Sequence, residues 1–278
     1  MVSNKSSSDS DLPRLISHYT TLEGLQGIVS SKSLWASNAS FLNDRAELEH
    51  ALKASEQVIK KLSSDKAQED WSPMLTRVFN ELADGAWPDT YVTCFCRDDD
   101  NLSQWRGYGG DVQGVSVTFG RARLAKRLKE EEAAFYKVSY SKYSTAAKVH
   151  RALEEQLREI ADLDEVIGNL SASLKYQELR ARVSSLLPRF KHIGFKDERE
   201  WRFAIQRKVE LRSLKFRVAR NKIIPYIVIG NGDDPLPITS VRVGPGPDQL
   251  LTAKSVQVFL NANGHNVPVT TSEVPFRP

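Results

Sequence analysis

Two glutamates separated by one residue, Glu198 and Glu200, are the clearest candidates for acid–base chemistry in the sequence. Side chains two residues apart lie on one side of a β-strand, so a strand starting here would bring both carboxylates together. Two neighbouring negative charges raise the pKa of one carboxyl, and such a pair can hold or transfer a proton. An alternative interpretation is a surface network of ion pairs with Lys196, Arg199 and Arg202.

A second candidate is the triplet His18-Tyr19-Thr20, at the end of the β-prone run Pro13–Thr20. A histidine ring can accept or donate a hydrogen bond and changes charge near neutral pH, which suits ligand binding and proton transfer. A single histidine on a strand is also commonly a hydrogen-bonded structural residue, and this interpretation stays open.

Arg106 follows Trp105 within the glycine-rich segment 101–110, for which we predict a loop. A guanidinium group in such a loop can bind a phosphate while the indole packs beneath it, and Tyr108 could stack on a planar ring. The structural alternative is that Trp105 fills the core and Arg106 pairs with an acid of the segment 43–47.

A run of basic residues extends from Arg207 to Lys222, against the single acid Glu210. Apolar and other side chains alternate along it, which predicts a strand with a buried apolar face and an exposed basic face. Such a face can contact phosphates or nucleic acid, whereas the alternative is an edge strand protected by its charges. The alternating residues are Leu214, Lys215, Phe216, Arg217, Val218 and Ala219.

Cys94 and Cys96 are the two cysteines, and they occupy one face of a predicted strand. Because no histidine lies near them, we interpret them as buried apolar residues rather than zinc ligands, and we predict no metal site. Two cysteines also exclude a disulfide framework.

The composition of 278 residues, with 40% hydrophobic and 27% charged residues, is that of a globular protein. Residues 1–11 are Ser- and Asp-rich and predict a disordered tail. No apolar stretch reaches the length of a membrane span, and no secretory signal is evident, so we expect a cytoplasmic protein that does not contact membranes.

Strand and helix patterns alternate irregularly, which favours an α+β fold with a mixed central sheet split around a cleft. We predict a single domain over residues 12–278, with a helical insertion at about 121–190 that lacks a core of its own. Within it, 121–134 reads as a helix and 145–187 is helical with a break near Gly168. Asn43 or Asp44 is interpreted as the N-cap of a helix over about 45–62.

Five short motifs, in this order and spacing, resemble a large bacterial family of domains of unknown function over nearly the whole chain. This resemblance implies a family but no reaction. The motifs are His18-Tyr-Thr20, Leu34-Trp-Ala-Ser37, Leu42-Asn-Asp44, Gln104-Trp-Arg-Gly-Tyr-Gly109 and Glu198-Arg-Glu-Trp-Arg202.

A more distant resemblance is to the ADP-ribosyltransferase superfamily, which cleaves NAD and transfers ADP-ribose. A histidine on the first strand, a mid-sequence tyrosine and a late glutamate carry it, at His18, Tyr108 and Glu200. The resemblance implies that His18 holds a ribose and that Glu200 stabilises the positive charge that develops on the sugar, with Glu198 engaging the acceptor. It implies NAD as the substrate, bound by His18-Tyr19-Thr20, Arg106 and Tyr108.

The leading hypothesis is therefore an NAD-consuming ADP-ribosyltransferase-like enzyme, of the toxin or antiphage-effector kind, with a protein or nucleic-acid acceptor. The alternatives are a phosphate-, nucleotide- or RNA-binding effector that resembles a ribonuclease, and a ligand-sensing interaction domain without catalysis. The enzyme hypothesis requires His18, Arg106 and Glu200 to line one pocket.

Overall fold

The computed structural model describes residues 12–41, 53–58, 61–62, 71–84, 90–108, 113–141, 145–219, 222–230, 232 and 234–275. The fold is α+β and is organised around one mixed sheet. The predicted tail 1–11, the motif at 42–44 and most of the helix predicted over 45–62 lie outside the described residues.

The strands are short, and most coincide with the predicted β-prone runs. They are β1 Leu15–Thr21, β2 Leu34–Asn38, β3 Thr90–Cys96, β4 Gly114–Gly120, β5 Ala134–Lys137, β6 Ser139–Ser141, β7 Phe190–His192, β8 Glu200–Gln206, β9 Lys215–Ala219, β10 Lys222–Ile229, β11 Ile238–Val243 and β12 Val269–Thr271.

The α-helices with described bounds lie between these strands, and residues 53–58 are also helical. The bounded helices are α1 Leu22–Ser31, α2 Ser72–Ala83, α3 Leu102–Tyr108, α4 Arg121–Arg127, α5 Thr145–Ile167, α6 Ala172–Leu186 and α7 Gln249–Ala262.

The main sheet runs in the order β12-β11-β4-β1-β3-β2-β10-β9, and β8 and β5 extend it from the other edge of β3. Its pairings are antiparallel except that of β11 with β12, which is parallel. Strands β6 and β7 form a separate parallel pair next to the α5–α6 hairpin.

Two large hydrophobic cores and a small cluster of Tyr19, Cys96 and Trp105 stabilise the described part of the chain. The sheet core lies beneath α1, α4 and α7, where Leu25, Leu124 and Leu260 pack against strand residues such as Val117 and Phe203. The helical core joins α2, α5 and α6 with Ala54, Val58 and Leu62. Contrary to the expectation, the helices of the predicted insertion help to form a second core, which they share with α2 and with Ala54, Val58 and Leu62 outside the insertion.

Two predicted elements differ from the structure. The segment 102–108 is helical, because the side chain of Asn101 accepts hydrogen bonds from the backbone N–H groups of Ser103 (2.8 Å) and Gln104 (3.3 Å) and begins the helix. The helix predicted over 121–134 ends at Arg127, and β5 begins at Ala134 and pairs with β8 in the main sheet.

Candidate functional site

The sheet splits along one edge of β3. The intact edge of β3 pairs with β8 along the whole strand, from Thr90 to Cys96. On the split edge, Tyr91 and Val92 pair with β2, whereas Cys96 pairs with Ser17 of β1. The strands β1 and β2 therefore diverge and leave a gap opposite the middle of β3.

The ring of His18 fills part of this gap. Its Nδ1 lies 2.9 Å from the main-chain carbonyl of Cys94, and because a carbonyl only accepts, Nδ1 must donate. Burial lowers the pKa of His18, and the positive charge of Arg217 lowers it further, although the hydrogen bond to Cys94 opposes both. The ring is therefore neutral at pH 7, and its Nε2 is an acceptor with no hydrogen bond to any described residue.

Arg217 and an aromatic pair lie beside the split. The Arg217 side chain donates to Ser37 Oγ at 3.0 Å, while its buried Nε has no hydrogen-bond partner among the described residues. The indole of Trp35 is 42% exposed and stacks on Tyr226, with 4.4 Å between ring centroids and 26° between planes. We refer to His18, Ser37, Arg217, Trp35 and Tyr226 as the split site.

Glu200 begins β8 and lies in a different, buried polar cluster. Its Oε1 accepts from Arg202 Nε at 2.7 Å, and its Oε2 accepts from Arg202 Nη2 at 2.9 Å and from Lys191 Nζ at 2.8 Å. Burial raises the pKa of Glu200, but the charges of Arg202 and Lys191 outweigh burial and hold the pKa well below its usual range. Glu200 is therefore a paired carboxylate.

Glu198 and Glu200 share a cation. Glu198 ends a short 3₁₀ helix, and its Oε2 lies 2.6 Å from Lys191 Nζ. Arg199 between them has a φ of 47°, which turns the chain into β8. Both carboxylates thus contact one ammonium, and the expectation that mutual repulsion raises one pKa is wrong for Glu200. We refer to Lys191, Glu198, Glu200 and Arg202 as the Glu200 cluster.

The structure does not bring His18 and Glu200 into one pocket. In β8, Trp201 and Phe203 point into the sheet core, so Glu200 leaves the sheet on the opposite face. The ring of His18 packs on Phe95, a residue of the sheet core, with 5.7 Å between centroids. The expectation of a common pocket is wrong for these two residues, because the pleat directs them to different environments.

Tyr19 and Thr20 are engaged in packing. Tyr19 is buried, its ring lies edge-on to Trp105 at 4.6 Å, and its hydroxyl donates to the Asp98 carbonyl at 2.9 Å. Burial raises the pKa of Tyr19 well above its usual value. Thr20 packs over α1, where a Cβ on Gly24 would lie 1.9 Å from Thr20 Oγ1.

Trp105 and Arg106 occupy α3 rather than a loop. Trp105 is 1% exposed, and its Nε1 donates to Asp100 Oδ1 at 2.7 Å, so it fills the core as in the structural alternative. Arg106 is exposed on the helix, and the side chain of Tyr108 lies outside the described residues. The proposed partners of Arg106 at 43–47 are also outside the described part of the chain.

The basic strand lacks the buried apolar face that was predicted. In β9, Phe216 and Val218 are 57% and 77% exposed, whereas Arg217 is partly buried against Ser37. The prediction of a buried apolar face is wrong because β9 is the last strand of the sheet and extends beyond the core. Sequence reasoning also missed Trp35 and Arg217 as site residues, although the motif Leu34–Ser37 and the basic run contain them.

Cys94 and Cys96 are free thiols, and Cys96 is buried. Within the described ranges, no group of three or more His, Cys, Asp or Glu side chains could hold a metal ion. A search of the helices in the same ranges finds none that is long and apolar enough to cross a membrane.

Residues 104–203 match the model of a family described as "Protein of unknown function (DUF2971)". The matched segment contains the Gln104–Arg106 and Glu198–Arg202 motifs, whereas His18 and Arg217 lie outside it. Searches among curated proteins and among solved structures found no match. Over this segment the chain is similar to a family of domains of unknown function.

Proposed function

We propose that the protein binds a nucleotide in the split site and that NAD is the ligand to test first. The observation that carries this proposal is the hydrogen bond from His18 Nδ1 to the Cys94 carbonyl. It fixes the neutral ring in the tautomer whose Nε2 accepts, which suits a ribose hydroxyl as the donor.

The neighbouring residues match the remaining parts of a nucleotide. The guanidinium of Arg217 suits a phosphate, since its planar donors match phosphate oxygens. The exposed indole of Trp35, supported from beneath by Tyr226, is a surface on which a base can stack. Arg217, Trp35 and Tyr226 share one face of the sheet by register, and Arg217 lies close enough to His18 for its charge to lower the pKa of the ring.

NAD cleavage is a separate hypothesis that needs a carboxylate at the reacting sugar. Glu200 suits this role poorly while Arg202 and Lys191 neutralise it, because a catalytic carboxylate must face the developing charge. Our proposal of nucleotide binding therefore does not depend on Glu200, and the transferase hypothesis does.

Isothermal titration calorimetry with NAD, ADP-ribose and AMP tests binding. His18→Ala and Arg217→Gln should each weaken NAD binding at least tenfold, or about 1.4 kcal/mol. Arg212→Gln is the matched control, because Arg212 is an exposed cation of the same basic run outside the split site. The proposal would be contradicted if all three variants bound NAD equally well, or if the wild type gave no heat of binding with any of the three nucleotides.

Single-stranded RNA is a second candidate ligand, favoured by the cations that continue from the split site. Lys215 lies directly opposite Tyr226, and Lys222 shares that face of the sheet by alternation. Anisotropy with a labelled 12-nucleotide RNA at increasing salt tests this, since phosphate contacts give a steep salt dependence. If the wild type binds RNA but not NAD, and Lys215→Gln abolishes RNA binding, the ligand of the split site is a polynucleotide rather than a dinucleotide.

A further inference from the structure

The opposite side of the β9–β10 pair carries an apolar surface that the split site does not use. Phe216 and Val218 project from β9, and Val218 lies directly opposite Ile223 of β10. The exposed fractions are 57%, 77% and 64% for Phe216, Val218 and Ile223, respectively. We refer to these three residues as the outer apolar face.

Among the described residues, no strand covers the outer edge of β9. Strand β9 is the last in its direction of the sheet, and its pairing within the described residues is with β10 alone. An open edge presents backbone N–H and C=O groups that another extended segment can pair with. We propose that β9 binds a partner protein by strand addition, and that the partner segment alternates apolar and acidic residues.

The register of β9 determines which side chains a partner strand must carry. Directly paired residues of neighbouring strands have their side chains on the same face of the sheet. The side chains of a partner strand would therefore lie alternately beside those on one face of β9 and those on the other. On one face it meets Phe216 and Val218, which favour apolar residues. On the other it meets the exposed ammonium of Lys215, which favours carboxylates, and the partly buried Arg217, whose side chain reaches across β10 to Ser37. The sequence Glu-Val-Glu-Val therefore complements Lys215–Val218.

A second copy of this chain fits the edge less well. Two antiparallel β9 strands centred on Arg217 would place Arg217 opposite its own copy. Centring them on Phe216 would place Lys215 opposite Arg217. Like charges directly opposite each other are destabilising, so the cations of β9 oppose self-association and favour an acidic partner.

Fluorescence anisotropy with a labelled Ser-Glu-Val-Glu-Val-Ser peptide tests the proposal on the full chain. We expect saturable binding that weakens at least tenfold in Val218→Glu and at least tenfold when lysine replaces glutamate in the peptide. Leu250→Glu is the matched control, because Leu250 on α7 is 73% exposed and distant in sequence from β9. Its affinity should stay within twofold of the wild type.

Three results would overturn the proposal: no preference for the acidic peptide, binding that Val218→Glu does not change, or a dimer in analytical ultracentrifugation that Val218→Glu dissociates. Circular dichroism verifies that the variant is folded. The NAD titration is repeated on Val218→Glu and should be unchanged, so that this proposal and the nucleotide proposal can fail separately.

Discussion

Replacing Glu200 by Gln distinguishes a structural role of the Glu200 cluster from a catalytic one. The cluster contains two carboxylates and two cations, and the substitution leaves it with one uncompensated positive charge in a buried environment. Arg202 then keeps the Pro188 carbonyl at 2.7 Å but loses the carboxylate that binds its Nε and Nη2.

The expected loss of stability is large. Removing one partner of a buried ion pair costs about 3–5 kcal/mol, and a whole domain is stable by only about 5–15 kcal/mol. Glutamine retains one acceptor oxygen, so we expect the free energy of unfolding to fall by about 3 kcal/mol. By contrast, a purely catalytic Glu200 would leave the free energy of unfolding nearly unchanged and abolish release of nicotinamide.

Urea unfolding followed by far-UV circular dichroism measures the effect. Glu210→Gln is the matched control, because Glu210 is exposed and should change stability by less than about 0.5 kcal/mol. The double variant Glu200→Leu/Arg202→Met should recover most of the loss, since apolar residues can replace a buried pair. A Glu200→Gln variant as stable as the wild type would refute the structural role.

The same cluster predicts a dependence on pH. The pKa of Glu200 is lowered by folding, so its contribution is fully present above the unfolded value of about 4.3 and is lost as pH falls towards the folded pKa. The difference in stability between the wild type and Glu200→Gln should therefore be constant from pH 7 to about 5 and shrink below that. A difference that grows on acidification would contradict the direction of the shift.

Two further predictions concern the packing of β1 and α3. Gly24→Ala should lower the free energy of unfolding by about 1–2 kcal/mol, because the Cβ of the new alanine would overlap Thr20 Oγ1. In a Thr20→Ala background the overlap is absent, and the same substitution should raise the free energy of unfolding by up to about 1 kcal/mol through helix propensity. Trp105→Phe should lower the free energy of unfolding by about 3 kcal/mol, because it removes the hydrogen bond to Asp100 and leaves a cavity. A decrease of less than about 1 kcal/mol in urea unfolding would contradict this.

Local sequence patterns predicted the α+β class and most strands, because the period-2 alternation that defines them is a property of consecutive residues. The run Tyr91–Cys96, for example, lies within β3. The helix at 102–108 was also within reach of the sequence, since Asn101 is a favourable N-cap, but the nearby glycines favoured a loop. The single domain and the functions of the site residues stay predictions.

The site itself depended on tertiary structure. Alternation in β9 predicts two different faces, but only the position of β9 at the end of the sheet leaves Phe216 and Val218 exposed and turns Arg217 towards Ser37. The pKa of Glu200 is lowered by Arg202, its neighbour in β8, and further by Lys191, which reaches it from β7 only in the folded chain. A sequence records which polar and ionisable side chains a protein carries. The burial and the partners that determine the charge and reactivity of those side chains arise only where segments distant in sequence meet.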